Sequence, residues 1–159
     1  MRIAVDCDEA GIELKKVIVE HLRGLGATVD DLNFLGAQKA DYPDIGYRLA
    51  RRVAEQEFDR GVLICGTGLG MAMIANKVEG IYAGVCHDVY SAERLRKSND
   101  GQILTLGARV IGAEAAKCVV SAWLHSEFEE GRSLPKVARM RELEKAERAR
   151  SESPEPADR

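Results

Sequence analysis

Residues 61–77, GVLICGTGLGMAMIANK, decide how the rest of the chain is read. Gly61–Ile64 is a short apolar run, the pattern of a strand buried on both faces. Glycines at 66, 68 and 70 interrupt it, and Leu69–Lys77 continues with helical character. The segment is therefore strand, glycine loop, helix.

The same alternation extends in both directions. Arg2–Val5 reads as a buried strand, followed by a helix with Leu14, Val17, Ile18, Leu22 and Leu25 at three- and four-residue spacing. Gly26 suits the left-handed position just past that helix. Ala27–Val29 begins a weaker strand. Asn33–Pro43 reads as a loop, with Pro43 near the start of a helix whose inward stripe is Ile45, Leu49 and Val53. Beyond the glycine loop, Ile81–Val85 and Ile103–Leu106 read as strands. The helices that follow are Tyr90–Lys97 and Ala113–Trp123, the latter with Ala116, Val119, Val120 and Trp123 inward.

Strands separated by helices pair in parallel, because helices supply the crossovers on both sheet faces. The expected fold is a three-layer α/β/α sandwich, a Rossmann-like doubly wound sheet of about five parallel strands, with ligands beyond their carboxyl ends. Ser133–Arg150 adds a charged helix with a narrow stripe of Leu134, Val137, Met140 and Leu143, suited to docking on its own domain or on a neighbouring subunit. One domain over residues 1–150 is expected, with 151–159 (SESPEPADR) as a disordered tail.

Composition excludes several classes of function. The 159 residues are 45% hydrophobic and 31% charged, with a formal net charge of -3. That size supports a core without disulfides or metal. The charge gives no reason to expect nucleic acid or an anionic membrane as partner, and no run reaches the roughly 18 apolar residues of a membrane span. The start, MRIAVDCDEAG, lacks a signal-peptide layout, so a cytoplasmic location is expected. Cys7, Cys65, Cys86 and Cys118 form no C-x-x-C pair, so no metal site is expected. Cys7, Cys86 and Cys118 are read as core thiols. His21 and His125 are read as exposed, and His87 as a loop histidine.

The glycine loop places uncovered N–H groups at a helix start, which favours bound negative charge. A dinucleotide fingerprint fails because position 71 is Met, and the P-loop pattern fails as well. An anion pocket and a purely structural turn both remain open on these residues alone. Cys65 stands at the strand's carboxyl end beside backbone dipoles that favour a thiolate, although burial in a core is the commoner use of cysteine.

CDEAG (7–11), DYPD (41–44), CGTGLGMAMIANK (65–77), YSAERLRKSND (90–100), GARVIG (107–112) and EGR (130–132) together resemble the ribose-5-phosphate isomerase B family, which includes galactose-6-phosphate and other sugar-phosphate isomerases. The likeness runs from Met1 to about Met140, nearly the whole chain before the tail. It implies an aldose–ketose isomerase without cofactor, working through a cis-enediol(ate). It further implies Cys65 as the base, with Gly66, Gly68, Gly70 and Asn99 stabilising the enediolate oxygen and Thr67 handling sugar oxygens. Asp8 and Tyr42 would line the sugar pocket, and Arg109, Arg132 and Lys136 would hold the phosphate. The family's pocket lies between subunits, so a homodimer or dimer of dimers is implied. From the residues alone, Asp8 could equally cap a helix near Ala10. A non-catalytic phosphosugar-binding module is the alternative of another class.

Two positions depart from the family. A phosphate-associated histidine is replaced by Glu9, and a carboxylate facing phosphate is repulsive. The ring-opening histidine is replaced by Ser98, which does not titrate near neutral pH. A tetrose 4-phosphate has O4 esterified and cannot close a furanose, so D-erythrulose 4-phosphate/D-erythrose 4-phosphate is the alternative substrate pair to ribose 5-phosphate/ribulose 5-phosphate.

Overall fold

The computed structural model describes residues 1–34 and 40–152. Five strands form one parallel sheet: β1 (Arg2–Cys7), β2 (Thr28–Asp31), β3 (Arg60–Cys65), β4 (Ala83–Val85) and β5 (Ile103–Gly107). Their spatial order is β2-β1-β3-β5-β4. Among the described residues the helices are α1 (Ile12–Gly24), α2 (Tyr42–Ala54), α3 (Leu69–Ala75), α4 (Val89–Lys97), α5 (Ala113–Leu124) and α6 (Glu130–Glu152), with a 3-10 turn at Glu9–Gly11. The doubly wound α/β/α sandwich is as expected.

The two faces of the sheet follow from strand alternation. Ile3, Val5, Val62, Ile64, Leu104 and Leu106 turn to one side, against α1, α4 and α5. Ala4, Leu63, Cys65 and Ile103 turn to the other, against Ile45, Leu49 and Val53 of α2 and Met71 and Ala75 of α3. Gly61 permits that second contact, since a Cβ there would stand 2.5 Å from a Leu49 methyl.

The chain leaves β1 toward β2 on one side, then returns to place β3 on the other. This reversal opens a crevice at the carboxyl ends of β1 and β3, the usual ligand position in such sheets. Pairing of Cys7 with Ile64 and of Cys65 with Gly107 brings the ends of β1, β3 and β5 level. The functional loops therefore emerge side by side.

Several boundaries differ from expectation. β2 begins and ends later than Ala27–Val29, and β4 is shorter than Ile81–Val85. Ile81 is buried in a turn, and the Tyr82 N–H goes to the Gln102 side chain at 2.9 Å instead of to a strand. α3 stops at Ala75 because Asn76 crosses to β4, donating to Ala83 O and accepting the Ala83 N–H. Residues 35–39 of the Asn33–Pro43 loop lie outside the described residues, and Tyr42 and Pro43 already belong to α2.

α6 is broken at Gly131 (φ 24°), so continuous helix starts just after it, with Pro135 in its first turns. It docks on its own domain. Glu144 accepts from Gly80 N–H and Tyr82 Oη, both at 3.2 Å, and Arg141 pairs with Asp100 at 2.7 Å. The helix extends through Ser151 and Glu152, two residues into the expected tail; 153–159 lie outside the described residues. Of the expected stripe only Val137 is buried, whereas Leu134, Met140 and Leu143 are exposed.

Two further corrections concern individual side chains. Cys118 is exposed rather than in the core, because it sits off the Ala116–Val119–Val120–Trp123 stripe. His21 is half-buried, its Nε2 2.7 Å from Ser121 Oγ where α1 meets α5. His125 is exposed, as expected.

Candidate active site

Cys65 is the last residue of β3 and is nearly inaccessible, at 5% exposure. Gly68, three residues on, adopts φ 81°. Only glycine takes that left-handed conformation without strain, and it folds the loop back over the strand end. As a result the Gly68 N–H donates to Cys65 Sγ at 3.1 Å. A backbone dipole aimed at sulfur favours negative charge there. The Gly68 carbonyl accepts from Ala72 N–H at 3.1 Å and from Thr105 Oγ1 at 2.9 Å, fixing the peptide from both sides.

The other two loop glycines make room for predicted site residues. A Cβ on Gly66 would lie 3.6 Å from Arg109 Cδ and Nε, so the Arg109 side chain crosses the bare backbone there. The Arg109 N–H also donates to Gly66 O at 3.0 Å. At Gly70 a Cβ would stand 2.6 Å from Tyr42 Cε2, so the Tyr42 ring occupies the space that glycine leaves. Thr67 is exposed at the loop tip, its Oγ1 accepting from Leu69 N–H at 3.3 Å. Gly107 on β5 supports the loop from behind: a Cβ on it would stand 2.7 Å from Thr67 C and O.

Asp8 follows β1 and is tied to the end of β3 through its N–H, which donates to Ile64 O at 3.1 Å. Its Oδ1 accepts from Ala10 N–H at 3.0 Å, so Asp8 does cap the short 3-10 turn. It also lines a cleft of about 350 Å³ with Glu9, Ala40, Asp41, Tyr42 and Pro43. Burial raises the Asp8 carboxyl above its ordinary value, while the Ala10 and Gly11 N–H groups and the charge of Arg109 pull the other way. Glu9 and Asp8 together make this cleft acidic on one side, a poor seat for phosphate.

Asn99, Arg132 and Lys136 do not line that cleft. They stand together around a second one of about 360 Å³, with Ser98, Ser133 and Val137 also in its wall. Asn99 is exposed just past α4, and Arg132 and Lys136 come from the start of continuous helix in α6. Ser98 Oγ lies 3.4 Å from Arg94 Nη1 as a weak acceptor. The expected residues thus form two groups: a thiol, glycine loop and sugar-sized cleft in one, and an amide with two cations in the other. Exposed Leu69 and Met73 on α3 and Leu134, Met140 and Leu143 on α6 add apolar surface to both neighbourhoods.

Sequence reasoning missed two contributors. Gly107 stood in plain view within GARVIG, yet its close approach to Thr67 depends on pairing with a strand about forty residues away. His87, read as a loop histidine, accepts the Gly107 N–H on Nε2 at 2.9 Å. Among the described residues no three His, Cys, Asp or Glu side chains converge as a metal site would need, and no helix is long and apolar enough to cross a membrane.

The chain is similar to known proteins over most of its length. A family model described as Ribose/Galactose Isomerase matches residues 3–140. The chain is 48% identical over 141 residues to the D-erythrulose-4-phosphate isomerase of Pectobacterium atrosepticum, covering 88% of this chain and 93% of that protein. It is 46% identical over 148 residues to the ribose-5-P isomerase B of Listeria innocua, covering 93% and 100%. Among solved structures, ribose-5-phosphate isomerase B of Clostridium thermocellum superposes with a TM-score of 0.87 at 43% identity, covering 92% of this chain and 99% of that one.

Proposed function

The chain belongs to the ribose/galactose isomerase family, and on that premise we propose that it interconverts ribose 5-phosphate and ribulose 5-phosphate with Cys65 as the base. The observation that carries the proposal is the Gly68 N–H held on Cys65 Sγ at the crevice between β1 and β3.

The Cys65 thiolate takes the proton from C2 of the open-chain aldose. The C2–H electron pair forms the C1–C2 double bond as charge moves onto the carbonyl oxygen. The resulting cis-enediolate is stabilised by remaining N–H groups of the Gly66–Gly70 loop and by Asn99, donors fixed before charge develops. The thiol then returns the proton to C1 while the proton of the C2 hydroxyl passes to the oxyanion on O1, giving the ketose. Thr67 engages sugar oxygens, and Asp8 and Tyr42 line the sugar cleft.

The phosphate goes to Arg109, Arg132 and Lys136, with the arginine forks as its main grip. Arg132, Lys136 and Asn99 border a different cleft from Asp8 and Tyr42 in the single chain. The complete site is therefore built by two copies, each supplying its thiol and loop to one site and its amide and cations to the other. The exposed apolar side chains of α3 and α6 suit such a contact. A homodimer or dimer of dimers follows from this reading.

A second substrate reading rests on Ser98. It supplies no titrating ring beside Asn99 and instead sits 3.4 Å from Arg94 Nη1. An open-chain tetrose 4-phosphate needs no ring opening and loses nothing by that replacement. The deciding experiment measures kcat/KM for ribose 5-phosphate and D-erythrulose 4-phosphate, on the wild type and on Cys65→Ala. Turnover of the pentose at an enzymatic rate that depends on Cys65 supports the first reading. Turnover of the tetrulose alone selects the second. Tight binding without turnover of either, unchanged in Cys65→Ala, points to a binding module.

A further inference from the structure

On β5 the N–H groups facing β4 recur at every second residue, as a parallel ladder requires. Ile103 N–H donates to Tyr82 O at 3.3 Å, and on β4's side Cys86 N–H donates to Thr105 O at 3.2 Å. Beyond Thr105 the series reaches Gly107 N–H. β4 has ended by then, and the bond goes to a side chain instead, His87 Nε2 at 2.9 Å.

The His87 ring is held from both sides in sequence. Cys86 is tied into the ladder, and Asp88 caps α4 by accepting the Ser91 N–H on Oδ1 at 2.7 Å. The neighbouring carboxylate is thus engaged in the cap. Because Nε2 accepts, the neutral ring must carry its proton on Nδ1. On the other side of Gly107, Ala108 N–H donates to Cys65 O at 2.8 Å. Gly107 is therefore suspended between His87 and Cys65, with the Thr67 backbone pressed against its bare Cα.

We infer that His87 is a positioning residue: its Nε2 lone pair seats Gly107 so that the Thr67–Gly68 turn closes and presents the Gly68 N–H to Cys65 Sγ. The inference deepens the reading of Cys65 as the base and rests on it. Without an acceptor at that point, Gly107, itself buried, is left with an unpaired N–H and is free to shift toward water. The turn packed on it then loosens, and the sulfur loses its donor. Glutamine can place a carbonyl oxygen near the position of Nε2, whereas leucine cannot accept at all.

The test uses the full chain with His87→Leu and His87→Gln, and reads the rate of Cys65 alkylation by iodoacetamide at pH 7 beside kcat and KM. We expect His87→Leu to slow Cys65 alkylation and kcat by about tenfold with little change in KM, the effect of weakening one charge-assisted hydrogen bond. His87→Gln should restore most of both. Equal behaviour of His87→Leu and wild type would overturn the inference, as would a His87→Gln as impaired as His87→Leu. Should the leucine variant not fold, the 15N shifts of His87 in the wild type decide: an Nδ1–H tautomer with bare Nε2 supports the account, and an Nε2–H tautomer contradicts it. The alkylation and tautomer readings need no substrate, so they stand apart from any failure of the proposed reaction.

Discussion

Gly68 donates its backbone N–H to the sulfur of Cys65 across 3.1 Å, the closure of a three-residue loop that the left-handed Gly68 makes possible. The other cysteines have different surroundings. Burial pushes the Cys7 thiol up to about 12 and the Cys86 thiol up to about 11. Both stay protonated and shielded at neutral pH, while Cys118 is exposed. Iodoacetamide at pH 8 is therefore expected to label Cys118 and Cys65 and to spare Cys7 and Cys86. Bound sugar phosphate should protect Cys65 alone. Peptide mapping checks this, and labelling of Cys7 ahead of Cys65 would count against the proposed environment.

Two glycine substitutions separate binding from chemistry. In Gly70→Ala the new methyl meets the Tyr42 ring at 2.6 Å, but Tyr42 is 43% exposed and can swing outward. Stability should change by less than about 1 kcal/mol, with KM rising as the sugar cleft loses its tyrosine wall. In Gly107→Ala the methyl meets Thr67 backbone at 2.7 Å, which cannot yield so cheaply. That variant should lose about 1–3 kcal/mol of stability, and kcat should fall with little change in KM. Thermal unfolding with steady-state kinetics on both variants reads the contrast. The reverse pattern would place Gly107 outside the catalytic support.

Buried Asp6 gives a pH signature of opposite sign to that of an ordinary paired acid. It lies within 3.8 Å of Lys15 Nζ and accepts from the Cys7 and Phe34 N–H groups. Burial nevertheless raises its carboxyl above the usual 3.8. The folded state then holds the proton more tightly than the unfolded one. Its contribution is fully present below pH 3.8 and is lost as pH rises through the raised folded value. Relative to wild type, Asp6→Asn should therefore gain in melting temperature as pH climbs from that acid range toward neutrality. A difference that stays flat, or moves the other way, refutes the assignment.

Subunit mixing tests the two-copy site. Cys65→Ala and Arg132→Ala homodimers should both be crippled. A heterodimer isolated through two different tags has one site with both groups intact, so it should regain about half the wild-type activity per dimer. No recovery in the heterodimer would mean that Cys65 and Arg132 serve from the same chain.

Much of the fold was legible because apolar period distinguishes strand from helix locally. The runs at Arg2–Val5, Gly61–Ile64 and Ile103–Leu106 all fall within strands. Strand order was not legible, since it depends on pairings between distant segments. β4 was overread because nothing local reveals that Gln102 takes the Tyr82 N–H. Cys118 was misassigned although its place off the inward stripe was visible in the sequence. His21 was misjudged because its partner, Ser121, is brought to it only by the packing of α1 on α5. For the site, Asp8, Cys65 with its glycine loop, and Arg109 stand at or just past the carboxyl ends of β1, β3 and β5, where an α/β sheet is expected to take its ligand. The division of the candidates between two clefts, and the link from His87 through Gly107 to Thr67, exist only in three dimensions.

The most direct test of the central claim is solvent-proton exchange followed by NMR in D2O, with ribose 5-phosphate and D-erythrulose 4-phosphate offered separately to wild type and Cys65→Ala. The account predicts that wild type isomerises at least one of the two sugars and places solvent deuterium on the carbon that gains the proton. It also predicts that Cys65→Ala falls by about a thousandfold or more, within the range lost with a general base. Deuterium incorporation by Cys65→Ala at the wild-type rate would contradict it, and another group would have to carry the proton.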